Sequence, residues 1–191
     1  MSLRKLLIVS SLVLCALAAA GCGGGERPRD ANSANANSSA ADEAAAREAA
    51  RSTPKALPDN GFKAEITLAD PPAKLRAGQK ETVQVKVKNA SDVQWYARGA
   101  EFNTSSDNKF YLAAGNRWLK AENNEKVTDM DGRYGLPKDL APGEEAEVPL
   151  QITAPKTPGE YILEVDIIQE QVGWFLDKGS PTAKVKVTVV R

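Results

Sequence analysis

Thr82-Val83-Gln84-Val85-Lys86-Val87-Lys88-Asn89 alternates apolar and polar residues without a break. Side chains of an extended chain point by turns to opposite faces. The stretch therefore reads as a strand with its valines in a core and Gln84, Lys86 and Lys88 in water. The same period returns three times. Ala146, Val148, Leu150 and Ile152 alternate with Glu147, Pro149 and Gln151. Tyr161, Leu163, Val165 and Ile167 alternate with Ile162, Glu164, Asp166 and Ile168, and Val185, Val187 and Val189 with Lys184, Lys186 and Thr188. Pro149 has no N–H to donate, which predicts an edge strand or a bulge there. Weaker strands are predicted over Ala64 to Leu68, Phe110 to Ala113 and Arg117 to Lys120. Turn signals at Ala77-Gly78, Ala141-Pro142-Gly143-Glu144 and Thr157-Pro158-Gly159-Glu160 each precede a strand. About seven short strands, with no convincing helix after Thr53, predict an all-β antiparallel sandwich over residues 61–191. Ala121 to Ala141 has little regular pattern and reads as an exposed excursion.

Composition narrows the function. The 191 residues suggest one domain with some to spare, and Lys+Arg and Asp+Glu are both 25. Without a basic excess there is little to neutralise a phosphate backbone, so no nucleic-acid partner is expected. Histidine is absent, which removes the Ser-His-Asp triad, the Cys-His pair and His-liganded zinc. Only carboxylate, Lys or Tyr chemistry is left, and the expectation is a protein that is not an enzyme and has no cofactor or metal.

The N-terminal residues carry a different signal. Met1-Ser2-Leu3-Arg4-Lys5 is basic, Leu6 to Ala20 is apolar, and Gly21-Cys22-Gly23-Gly24-Gly25 follows. A basic start, a roughly 15-residue apolar run and small residues make a secretory signal that is too short to span a bilayer. Gly21-Cys22 resembles the lipobox of bacterial lipoproteins, although Ala19 stands where that family favours Leu. The resemblance implies cleavage after residue 21, diacylglycerol on the Cys22 thiol and a lipid-anchored, exported protein. With Gly23 after the cysteine it implies the outer membrane in a Gram-negative cell, and the cell membrane otherwise. Loss of Arg4 and Lys5 would leave 23 cationic against 25 anionic side chains. The other cysteine, Cys15, would leave with the signal, so no disulfide is available to the exported domain.

Residues 22–60 read as a flexible tether. Asp30 to Ala41 is mostly Ala, Asn and Ser, and no apolar residue larger than alanine occurs between Gly23 and Thr53. A short helix over 39–51 is predicted from Ser39 as a cap and the Glu43/Arg47 spacing, with no apolar stripe to hold it. As a coil, roughly 39 residues reach about 35 Å, enough to hold a domain clear of a membrane.

Residues 81 to 190 resemble the immunoglobulin-like β-sandwiches of exported and cell-surface proteins, including the four-tryptophan (FW) type. The matching parts are Val85-Lys86-Val87-Lys88-Asn89 leading to Trp95, Arg117-Trp118-Leu119, Leu136-Pro137 and Leu140-Ala141-Pro142-Gly143-Glu144. Pro158-Gly159-Glu160-Tyr161 and Val172-Gly173-Trp174-Phe175 complete them. The resemblance implies an accessory or interaction module. The chain departs from antibody-type domains in lacking the inter-sheet cysteine pair, and from the pattern at Tyr134, where a small or hydroxylic residue is expected.

Several residues are candidates for recognition or chemistry. Trp95, Trp118 and Trp174, extended by Tyr134 and Phe175, could form an aromatic platform for a sugar or peptide, or could be core mass and plugs over the sheet ends. Trp174-Phe175 is the stronger candidate, because neighbours on a strand face opposite ways. The acidic loop 122–132, with Glu122, Asn123, Asn124, Glu125, Asp129 and Asp131, offers oxygen ligands without EF-hand spacing and reads as solvated. Glu164, Asp166 and Glu170 are candidate paired carboxylates for a hydrolase, against the plainer reading of a strand's wet face. Asn37, Asn89 and Asn103 head glycosylation-type tripeptides that arise by chance. The expected function is a non-catalytic binding or scaffold module held to the membrane through Cys22, with an envelope protein or glycan as partner. The alternatives are a carbohydrate-binding module that reads glycans through Trp174 and, last, a carboxylate-only hydrolase.

Overall fold

The structure, a computed structural model, describes residues 53–191. The signal segment, Cys22 and the helix expected over 39–51 lie outside the described residues. Ten strands are described: β1 (Ala64–Ala69), β2 (Lys74–Arg76), β3 (Lys80–Asn89), β4 (Leu112–Lys120) and β5 (Lys126–Thr128), then β6 (Arg133–Gly135), β7 (Glu145–Thr153), β8 (Gly159–Gln169), β9 (Gly173–Trp174) and β10 (Ala183–Val190). Three short 3-10 turns are the helical elements among the described residues, at Asp59–Gly61, Gly99–Asn103 and Leu176–Lys178.

The strands form two sheets. The small sheet has the order β1-β3-β7 and the large one β2-β10-β8-β4-β5, with β6 beside β4 and β9 beside β8. The four long alternating runs of the sequence are β3, β7, β8 and β10, and their inward residues make one core. Val83, Val85 and Val87 of β3 meet Val148, Leu150 and Ile152 of β7, Leu163, Val165 and Ile167 of β8, and Val187 and Val189 of β10. Among the described residues β7 pairs only with β3, so Pro149 stands on a sheet edge. Pairing is antiparallel except between β10 and β2, which run parallel, a departure from the all-antiparallel expectation. The cause lies between β1 and β2. Asp70 takes φ 46°, and Pro71-Pro72 can neither donate to a ladder nor continue the strand, so the chain leaves the small sheet and joins the large one.

Two further expectations are corrected. The weak strands at 110–113 and 117–120 are one strand, β4, with Phe110 outside it at φ 70°. The stretch 121–141 is not wholly exposed. It contributes β5 and β6, buries Leu136 and Leu140 completely, and Leu140 exchanges backbone hydrogen bonds with Trp95. Spacings of three residues are too short for a period to show, which hid these strands in the sequence.

The turn before β8 is closed by Tyr161, whose hydroxyl donates to the Thr157 carbonyl at 2.8 Å. A tyrosine at the start of a strand, bonded back to the corner before it, is a signature of immunoglobulin-like sandwiches. Before β7, Glu144 N donates to the Ala141 carbonyl at 3.0 Å around Pro142 and Gly143, and Gly143 has the positive φ (83°) that a type II turn requires.

Candidate functional site

The outer face of the large sheet holds the densest cluster of chemistry-bearing side chains. The register sets Arg117 of β4 opposite Glu164 of β8, and Gly115 opposite Asp166. β9 returns beside β8 and places Trp174 next to Ile168. A Cβ at Gly115 would lie 2.7 Å from Trp174 Cη2, so the missing side chain is what lets the indole settle onto β4. Two guanidiniums lie over the indole ring. Arg117 Cζ is 4.9 Å from its centroid and Arg133 Cζ, from β6, is 5.2 Å away.

Ion pairs run beneath and beside the indole. Arg117 Nε lies 3.3 Å from Glu164 Oε2, and its Nη2 donates to Asp166 Oδ2 at 3.3 Å. Glu164 Oε1 also accepts from Thr182 Oγ1 at 2.8 Å and pairs with Lys184 Nζ at 3.1 Å. Asp166 accepts from the backbone N–H of Ile167 at 2.8 Å and of Leu176 at 3.1 Å. Arg133 pairs with Glu170 at 2.7 Å. Burial pushes the Asp166 carboxyl up from its ordinary 3.8 to about 6, against the opposing pull of those two N–H groups and of Arg117.

The expectation that Glu164 and Asp166 lie on a wet face is therefore corrected. Their relative exposures are 3 % and 0 %. Trp174, Arg117 and the Leu176 turn cover them. A signal was present in the sequence: the same face of β8 carries Ile162 and Ile168 on either side of the acids, which is unusual for a solvated face. Arg117, adjacent to Trp118, gave no sequence signal as their counter-ion. Each carboxylate is engaged by named donors, an arrangement that holds a surface rigid and leaves neither acid poised toward an open cleft.

The five aromatic candidates part company. Trp95, Trp118 and Phe175 are fully buried and have no face to offer a ligand. Phe175 stacks edge-on against Phe62 at 5.0 Å and Trp95 at 5.1 Å, and Trp95 Nε1 donates to the Gly61 carbonyl. Trp118 meets Tyr161 edge-on at 6.4 Å and donates from Nε1 to Asp131. Tyr134 and Trp174 remain partly open, and the exposed Met130 adjoins Trp174 through Arg133.

The acidic loop does not converge on a centre. Glu125 pairs with Lys120, and Asp129 with Lys126. Asp131 turns inward, where Oδ2 accepts from Asn116, Trp118 and the Thr153 N–H. Among the described residues no group of three or more His, Cys, Asp or Glu side chains is arranged to hold a metal. Asn89 is buried, its amide donating to the Val93 and Leu140 carbonyls, so its tripeptide is a structural pin. Sequence reading also missed Gln169. Its Nε2 donates to the carbonyls of Lys55 and Phe110, and its Oε1 accepts from Leu57 N–H, each at 2.9 Å.

Two sheets around one core, a tyrosine corner and a tryptophan seated on the outer face define an immunoglobulin-like β-sandwich module. No family model matches the chain, and no curated protein sequence matches it. Among solved structures it is similar to a β-glucosidase from Listeria innocua in complex with glucose, at 15% identity and a TM-score of 0.42, over 68% of this chain and 16% of that one. It is also similar to a CARDB domain from Pyrococcus furiosus in complex with di-metal ions (17% identity, TM-score 0.38, 67% of this chain and 91% of that one). A third is the sporulation control protein Spo0M from Bacillus subtilis (15% identity, TM-score 0.38, 68% and 49%). The chain thus spans about one sixth of the glucosidase's length.

Proposed function

We propose that this chain is an exported lipoprotein, anchored through Cys22, whose immunoglobulin-like sandwich is a non-catalytic binding module. The anchoring half rests on the basic start, apolar run and Gly21-Cys22. Each buried methylene of an attached lipid adds about 0.8 kcal/mol of membrane affinity, so several acyl chains make a lasting anchor. The observation that carries the binding half is the outer face around Trp174. Its acids are spent in ion pairs with Arg117 and Arg133, while Trp174, Met130 and Leu176 stay open. Tryptophan, arginine and methionine are the residues enriched where proteins meet. A protein partner is favoured over a sugar because guanidiniums already lie over the indole that a sugar ring would need.

The anchoring half is tested in cells. Globomycin, which blocks the lipoprotein signal peptidase, should cause an unprocessed, lipidated precursor to accumulate, and Cys22→Ser should yield no lipid-modified form by mass spectrometry. Normal processing in the presence of globomycin would refute it.

A further inference from the structure

Two strand edges lie unpaired on one side of the sandwich among the described residues. β1 pairs only with β3, and β10 pairs on its outer side with β2 only over Thr188–Val190. The split of the first strand at Pro71-Pro72 opens this gap, because β2 begins too late to cover the first half of β10. In that half the register fixes which groups point outward. Thr188 N donates to the Ala73 carbonyl and Ala77 N to the Val190 carbonyl, so even-numbered residues of β10 turn N–H and C=O away from β8. The backbone groups of Lys184 and Lys186 therefore face the gap, and no described backbone group bonds to them.

The floor and flank of the gap have definite chemistry. Ile66 and Leu68 of β1, and Ala183 and Val185 of β10, point toward the core yet remain only partly buried. β1 and β10 lie side by side at this edge, so the four residues form an apolar seam between the sheets. On the outer side stand Lys74, Arg76, Lys184 and Lys186, all exposed. Glu160 pairs with Lys186 and Glu164 with Lys184, each at 3.1 Å. Lys74 and Arg76 form no ion pair among the described residues. The flank is cationic in excess.

We infer that the Ala183–Val187 edge of β10 is a strand-addition site for an extended peptide whose acidic and apolar residues alternate, a proposal that rests on the binding-module reading above. The peptide's backbone would bond to Lys184 and Lys186, its apolar residues would enter the seam beside Val185, and its acids would face the cationic flank. Period-two side chains give such a peptide both properties at once.

The test uses the full chain in detergent and a blocked synthetic peptide, Glu-Val-Glu-Val-Glu-Val-Glu, with its Lys-for-Glu counterpart as control. The acidic peptide should bind at least about tenfold more tightly at low salt and slow hydrogen exchange at the Lys184 and Lys186 amides. Lys186→Pro deletes an outward donor without touching the ladder to β8, and should weaken binding by about tenfold with the circular dichroism unchanged. The double variant Lys184→Glu with Lys186→Glu should reverse the preference between peptides, and it decides the matter should the proline variant not fold. Equal affinity for the two peptides, unprotected amides, self-association in place of peptide binding, or a double variant with unchanged preference would each overturn the proposal. Globomycin-sensitive processing together with no peptide binding would sink the edge site alone.

Discussion

Asp166 shows how one buried group colours the behaviour of the molecule. Its carboxyl sits at about 6 in the folded state, above its ordinary 3.8. Between about pH 4 and pH 6 the folded chain therefore holds a proton there that the unfolded chain has lost. Stability from this group falls as pH rises through that window and is level above it. Asp166→Asn carries no such proton, so the difference in denaturation midpoint between wild type and variant should move against the wild type from pH 4 to pH 6. A constant difference would refute the assignment. Arg117 beside it also pairs with Glu164, a pairing invisible in the linear order because the partners stand 47 residues apart. Residue-scale chemistry was the least legible part of the sequence. The alternation on β8 placed Glu164 and Asp166 on one face, but the cover over that face comes from Trp174 and Gly115, which only the register brings together.

At the scale of elements, strand edges are where this fold is defended or left open. The outer edge of β7 is defended twice. Pro149 removes one outward donor, and the outward N–H of Thr153 is taken by the Asp131 carboxylate. Gly132 lies so close to β7 that a Cβ there would sit 2.0 Å from the Gln151 carbonyl oxygen, which seals the loop against the strand. Pro149→Val restores a donor to this edge and should shift the protein toward dimers or larger species in sedimentation, whereas a strictly monomeric variant would show that Asp131 alone suffices. The long strands were legible because eight to eleven alternating residues leave few other readings. β2, β5, β6 and β9 have two or three residues each and are strands only because a longer neighbour pairs with them. The parallel turn-off into β2 was half legible, since Pro71-Pro72 announces a break without saying which sheet receives the chain.

Across the described residues the sandwich is closed without a cysteine. Phe175, Phe62 and Trp95 interlock near one end of the core, and Trp118 packs against Tyr161 near the other. Gln169 pins the chain ahead of β1 to this body through Lys55 and Leu57. Gln169→Ala would strand the Leu57 N–H and the carbonyls of Lys55 and Phe110, costing about 1–3 kcal/mol. It should also make the chain ahead of Asn60 more accessible to limited proteolysis, and unchanged cleavage would show the contact to be dispensable. That glutamine sits at the end of β8 away from Tyr161, whereas β10 finishes opposite the beginning of β8. A pull on the segment ahead of β1 is thus carried in part by one side-chain amide, which can yield and re-form like a strain-relief clip on a cable.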